Sequence, residues 1–423
     1  MNIKFRLTLL NFLEFAVWGA YLTCMSRYLI TAGLGDYISY FYSVQGFVSL
    51  FMPALMGIVA DRWIQAQKTL SLCQFIAGVA MCAAAFYGNI AGANASFGTL
   101  FGLYTLSVAF YMPTIALTNS VAYAVLEGAG LDTVKSFPPI RVWGTIGFII
   151  SMLCVDWGGL QDKPWQFAVS GCLSIIMALY ALTMPACKID KSKPATSFVD
   201  ALGLRAFTLF KQRKMAIFFI FSMLLGSALQ ITNGYANPFI ASFGAEDTFA
   251  NTFGVQHANT LISLSQMSET LCILLIPFFL KRFGIKIVML MSMFAWVFRF
   301  GFFAIGDPGF PGVILLVLSM IVYGIAFDFF NISGSLFVDK ETDLNIRSSA
   351  QGLFMMMTNG LGASIGMLLA GQVVNHYTHG EVVNGEFYTL GNWSTCWWIF
   401  SCYALVVAVL FAILFRYKHE AKK

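Results

Sequence analysis

Twelve apolar runs, each long enough to cross a bilayer, fill almost the whole chain. They lie at about 7–30, 38–60, 69–88, 97–123, 138–157, 165–186, 215–241, 256–280, 285–306, 312–338, 347–375 and 393–415. Roughly 20 residues of helix span the ~30 Å of hydrocarbon in a bilayer. Backbone groups find no water there, so a single run of this kind can cross only as a helix. The longest hydrophilic stretch, 187–214, divides the runs into six and six. This predicts an all-α membrane protein of twelve transmembrane helices. Its parts are an N-terminal six-helix half over 1–186, a cytoplasmic linker over 187–214 and a C-terminal six-helix half over 215–423. Composition agrees: 11% of residues are charged, against about 25% in soluble domains.

The distribution of lysine and arginine orients the chain. With the N-terminus inside, the inner segments receive Lys4, Arg6, Arg62, Lys68, Lys135, the basic linker, Lys281, Arg282, Lys286, Lys340, Arg347, Arg416, Lys418, Lys422 and Lys423, and the outer loops receive only Lys163. Positive charge gathers on the cytoplasmic side of membrane proteins, so both termini are expected in the cytoplasm. The net charge of +5 is spread over many loops rather than gathered in one patch, and nucleic acid is not an expected partner. Lys4 and Arg6 before an apolar run raise the question of a signal peptide. Glu14 and Trp18 interrupt that run and no small-residue cleavage site follows, so a retained first helix is expected.

Most of the nine cysteines fall in apolar runs and none forms a C-x-x-C pair, which predicts small membrane-facing or packed side chains. The four histidines fall in loops or the tail. Without a histidine in a span, a Ser-His or Cys-His pair or a metal cluster, enzyme chemistry is not expected, and no cofactor or metal is implied.

Ionisable residues inside membrane spans are costly and mark function or pairing. The run Leu316–Val338 carries one at its centre, Asp328. An Asp there costs about 2.5–3.5 kcal/mol on insertion scales. Tyr323, Phe327 and Asn331 share one helical face, and Asp328 adjoins it. The run at 256–280 holds Gln266 and Glu269 at i, i+3. A carboxylate at this depth serves as a proton carrier, a hydrogen-bond donor when protonated, or half of an ion pair. The run at 215–241 holds Gln230 and Asn233, amides able to donate and accept or to join helices. Arg141 follows Pro138-Pro139, residues suited to the first turn of a helix. Arg141, Thr145 and Phe148 fall at i, i+4 and i+7. Glu14 either lines the same cavity or caps a local network, and Arg299 is expected near the outer end of its span in a structural role. An aromatic wall of Phe148, Tyr323 and Phe327 beside amides and acids suits a planar base joined to a sugar.

Four blocks carry a family resemblance: Phe137–Phe148 (FPPIRVWGTIGF), Phe218–Asn233 (FFIFSMLLGSALQITN), Ser265–Leu271 (SQMSETL) and Leu316–Ser335 (LVLSMIVYGIAFDFFNISGS). They resemble the nucleoside:proton symporter family of the major facilitator superfamily, and the similarity runs through nearly the whole chain. The turn Gly57-x-x-x-Asp61-Arg62 also resembles that superfamily's signature, with Trp63 where a glycine is expected. The resemblance implies a major facilitator fold and proton-coupled nucleoside uptake across the bacterial cytoplasmic (inner) membrane by alternating access. It implies substrates such as uridine, cytidine and adenosine, the proton as coupling ion and no obligate protein partner. It further implies a substrate site of Arg141, Thr145, Phe148, Gln230, Asn233, Gln266, Glu269, Tyr323, Phe327 and Asp328, with Asp328 and Glu269 in proton coupling. The alternative within transporters is a sugar or oligosaccharide proton symporter, since amides and aromatics bind sugars too.

Overall fold

The computed structural model describes residues 2–187, 204–343 and 346–417. Most of the expected linker, 188–203, lies outside the described residues, as do Lys418, Lys422 and Lys423. By its internal contacts the chain divides into two compact units, Met1–Tyr37 with Phe47–Ala201, and Ile38–Gly46 with Leu202–Lys423.

Helices dominate. In chain order the first are α1 (Ile3–Gly19), α2 (Met25–Thr31), α3 (Ile38–Arg62), α4 (Ala66–Ala91), α5 (Phe97–Gly128), α6 (Thr133–Trp157) and α7 (Trp165–Leu182). After a 3-10 segment, Leu204–Lys211, come α8 (Arg213–Ser242), α9 (Ala258–Ile305), α10 (Gly312–Glu341), α11 (Arg347–Met355), a π-helical segment Met356–Gly362, α12 (Ala363–Tyr377) and α13 (Trp393–Leu414). Among the described residues, nine helical segments are long and apolar enough to cross a membrane. The 17-residue α1 and the 48-residue α9 stand outside that count.

Four expected spans have a different internal form. The first run, 7–30, is broken between α1 and α2, where the amides of Tyr21 and Cys24 close tight turns onto the carbonyls of Trp18 and Tyr21. The eighth and ninth runs are joined in α9, which bends at Gly284, whose φ of +77° lies in the left-handed region that glycine adopts without steric cost. The sixth helix from the N-terminus, α6, begins at Thr133, so Pro138 and Pro139 lie in its second turn and not its first. The earlier start follows from Asp132, whose carbonyl receives the Ser136 amide at 2.9 Å.

The all-α expectation also has one exception. Residues Thr378–Val383 and Glu386–Gly391 pair as an antiparallel hairpin. Its turn is Asn384-Gly385, both at positive φ, the arrangement that matches strand twist in two-residue hairpins.

The burial pattern is that of a protein in lipid. Polar side chains such as Gln74, Thr118, Asn237 and Asn259 are buried, while Ile90, Leu274 and Ile413 are exposed. Polar groups satisfy each other inside and apolar groups meet the tails. In the first unit, α4 packs on α5 and α7, and α1 on α6. In the second, α9 packs on α10 and α13, and α8 on the π-helical segment and α12. Small residues set these distances. A Cβ on Gly324 would lie 2.6 Å from the Ser268 carbonyl oxygen, and one on Gly226 would strike the Thr358 carbonyl.

Candidate functional site

The expected site residues fall into two groups. Gln230, Asn233, Gln266, Glu269, Tyr323, Phe327 and Asp328 belong to the second unit, and Arg141, Thr145 and Phe148 to the first.

In the second unit several of the candidate residues flank the place where α9 and α10 close on each other at Gly324. Beside that contact, Ser268 donates to the carbonyl of Ile321 and Ser292 to that of Ala326. These bonds fix the register of the two helices, and with it the side chains on either side. Tyr323 hydrogen-bonds Gln266, joining the two helices in the site itself. Its ring stacks on Phe327, with centroids 5.9 Å apart and planes at 7°, and meets Trp296 edge-on at 6.0 Å. Asp328 and Glu269 lie within electrostatic reach of each other and of Tyr323. Asp328 is 5% exposed, and among the described residues its Oδ2 has no hydrogen-bond partner. A buried carboxylate oxygen left unpaired carries a desolvation cost that a ligand or a proton removes. On α8, Asn233 donates to the Gln230 side-chain oxygen at 3.5 Å. Asn331, on the aromatic face by sequence, turns back to the Phe327 carbonyl at 3.0 Å.

Arg299, expected in a structural role, adjoins this neighbourhood. Arg299 has no exposed surface. Its Nη1 donates to the Ser319 carbonyl at 2.6 Å and to the Ser265 hydroxyl at 3.3 Å, and its Nε to Thr232 at 3.4 Å. Its guanidinium lies 4.6 Å from the Tyr323 ring centroid. Among the described residues it makes no ion pair, and its Nη2 has no partner. Arg299 therefore buttresses the back of Tyr323. The available signal was an arginine inside an apolar run with no acid three or four residues away.

In the first unit, α1 and α6 approach closely. A Cβ on Gly147 would strike the Phe12 carbonyl, and one on Gly144 would lie 2.6 Å from the Phe15 ring. This approach sets Arg141 over the Phe15 ring, 3.9 Å from its centroid. Phe148 is buried and meets Trp18 edge-on at 6.3 Å. Thr145 is half-buried on the same helix.

Glu14 resolves as the centre of a local network. Its carboxylate accepts from Gln74 at 2.9 Å, Thr114 at 2.6 Å and Thr118 at 2.9 Å, and its backbone carbonyl accepts from Tyr111 at 2.7 Å. These bonds tie α1 to α4 and α5. Arg141 lies close enough to act on Glu14 electrostatically.

Within the second unit, stacked rings, amides that donate and accept, and two neighbouring carboxylates offer what recognition of a small polar aromatic molecule needs.

Known proteins resemble this chain over nearly its whole length. Residues 1–420 match the family model described as nucleoside H+ symporter. The chain is 47% identical to the nucleoside permease NupG of Escherichia coli (strain K12), over 99% of this chain and 97% of the permease. It is 46% identical to the xanthosine permease of the same organism, over 100% of this chain and 98% of that one. A crystal structure of the nucleoside transporter NupG superposes with a TM-score of 0.89 at 47% identity, covering 99% of this chain and 100% of that one. A D-xylose-proton symporter superposes at 0.69 with 13% identity, covering 100% of this chain and 99% of that one, a likeness of fold alone. On the full-length family match and these relatives, the chain belongs to the nucleoside H+ symporter family.

Proposed function

We propose that this symporter carries nucleosides such as uridine, cytidine and adenosine into the bacterial cytoplasm across the inner membrane, each with protons. With α1 and α2 counted as one span and α9 as two divided at Gly284, the chain crosses the membrane twelve times as two six-helix halves. The lysine and arginine distribution supports cytoplasmic termini. Phe148, Tyr323 and Phe327 pack against the base and ribose. Gln230, Asn233, Gln266, Glu269 and Asp328 hydrogen-bond the hydroxyls and base edge, and Arg141 and Thr145 complete the substrate contacts, with Arg141 balancing a carboxylate.

A proton on Asp328 or Glu269 removes one of two neighbouring negative charges. This favours the loaded carrier as its site changes from facing one side of the membrane to facing the other. Release of the proton inside resets it. A gradient drives uptake only if the two states differ in proton affinity, and a carboxylate whose surroundings change between states supplies that difference. The observation that carries this reading is Asp328, buried on an aromatic helical wall, its Oδ2 without a partner among the described residues and Glu269 within electrostatic reach.

The test is uridine uptake into proteoliposomes with and without an inward proton gradient, in the presence of adenosine or free ribose. The reading expects accumulation only with the gradient, competed by adenosine and not by ribose. Competition by ribose would favour a sugar carrier, and equal uptake in both conditions a facilitator.

A further inference from the structure

A cavity of about 380 Å3 opens where α8 begins and α13 ends, away from the residues assigned above. Arg213, Lys214 and Arg416 line it, with Ile217, Ile413 and Leu414 as its apolar wall. Lys214 pairs with Glu341. Arg213 and Arg416 are exposed, and among the described residues neither forms an ion pair. Three cations thus face one carboxylate.

The backbone adds to the positive field. The first turn of α8 holds no acidic residue, and no side chain of its N-cap residue Gln212 caps it. The free amides of a helix N-terminus carry about half a positive charge. The opposing negative pole, at the end of α13, is offset by Lys286, whose Nζ donates to the Ala412 carbonyl at 3.0 Å.

The wall has the opposite character. Ile413 and Leu414 are 62% and 42% exposed on a helix apolar enough to span a membrane, so they meet lipid tails. A cationic cradle beside an apolar flank fits an amphiphile with an anionic head. A soluble anion has no use for the flank, and a zwitterionic lipid brings an ammonium group against the arginines. We propose that the cavity between the start of α8 and the end of α13 binds the phosphate headgroup of an anionic phospholipid, with Arg213 and Arg416 on the phosphate and the acyl chains along Ile217, Ile413 and Leu414. Basic pockets between membrane helices recognise lipid headgroups by this chemistry, and guanidinium matches phosphate in a bidentate manner.

The test is native mass spectrometry of full-length protein stripped of lipid in detergent and supplied with phosphatidylglycerol, phosphatidylcholine or inorganic phosphate. Wild type is expected to retain phosphatidylglycerol in preference to phosphatidylcholine. The double variant Arg213→Ala, Arg416→Ala should retain it about 30-fold less, from two basic contacts. Both positions are exposed, so its uridine exchange should match wild type and show that the fold is intact. Equal retention of phosphatidylglycerol by the two proteins would overturn the site. Equal retention of phosphatidylcholine and phosphatidylglycerol by wild type would remove the charge argument. Displacement of the lipid by millimolar phosphate would mark a free-anion site and overturn the lipid assignment.

Discussion

The guanidinium of Arg299 lies over the ring of Tyr323, its Cζ 4.6 Å from the ring centroid, at a position with no exposed surface. The cation thus stands behind an aromatic residue of the proposed substrate wall. A desolvated cation–π contact is worth about 2 kcal/mol, and a hydrogen bond to a charged group about 1.5–3 kcal/mol. Arg299→Lys keeps the charge and loses the planar fork that reaches Ser265, Ser319 and Thr232 together. It should destabilise the protein by about 2–4 kcal/mol and raise the KM for uridine as the Tyr323 ring loosens. Thermal unfolding in detergent and uptake kinetics check this. An unchanged midpoint together with an unchanged KM would show that Arg299 does not support Tyr323.

Tyr323 joins two functions that one substitution separates. Tyr323→Phe keeps the stack on Phe327 and removes the hydroxyl that bonds Gln266. Loss of one such bond should weaken uridine binding about fivefold to tenfold, or ~1–1.4 kcal/mol. Tyr323→Ala also removes the ring and should cost far more. Equilibrium binding of labelled uridine gives both values, and equal losses for the two variants would deny the hydroxyl and the ring separate roles.

These residues also show where sequence reasoning reached and where it stopped. The face shared by Tyr323 and Phe327 and the i, i+3 pairs on α8 and α9 follow from helix geometry, because a long apolar run leaves the backbone no alternative. The break between α1 and α2 was not legible: no proline or glycine marks residues 20–24, and the tight turns there depend on packing from distant helices. The same is true of the π-helical segment Met356–Gly362, which lies where Gly226 and Gly362 bring α8 backbone against it. The hairpin at 378–391 was legible and overlooked, since Asn384-Gly385 is a strong two-residue turn signal. The partners of Arg299 were not legible because Ser319 and Tyr323 lie on another helix.

Glu14 anchors the first unit. Glu14→Ala leaves the buried donors of Gln74 and Thr118 without their acceptor, and each unsatisfied donor costs about 1–3 kcal/mol. The variant should unfold several degrees below wild type, with Glu14→Gln between the two because its amide keeps one acceptor oxygen. Thermal unfolding of the three proteins decides the matter, and an unshifted Glu14→Ala midpoint would remove the network from the stability account.

Close approach of α1 and α6 depends on Gly147. A Cβ there would strike the Phe12 carbonyl, whereas one on Gly102 would meet nothing within 4 Å. Overpacking of this kind costs about 1–3 kcal/mol, so Gly147→Ala should destabilise. Gly102→Ala should be neutral or stabilising through the ~1 kcal/mol helix preference of alanine over glycine. Equal shifts in unfolding midpoint would contradict the tight contact.

The most direct test of proton coupling compares wild type with Asp328→Asn in proteoliposomes, measuring uridine counterflow without a gradient and uridine accumulation with an inward proton gradient. The amide keeps the shape and hydrogen-bonding capacity of the side chain and cannot carry the proton. Retained counterflow with abolished accumulation is the predicted result. Full gradient-driven accumulation by Asp328→Asn would contradict the assignment of Asp328 as the coupling group and pass that role to Glu269.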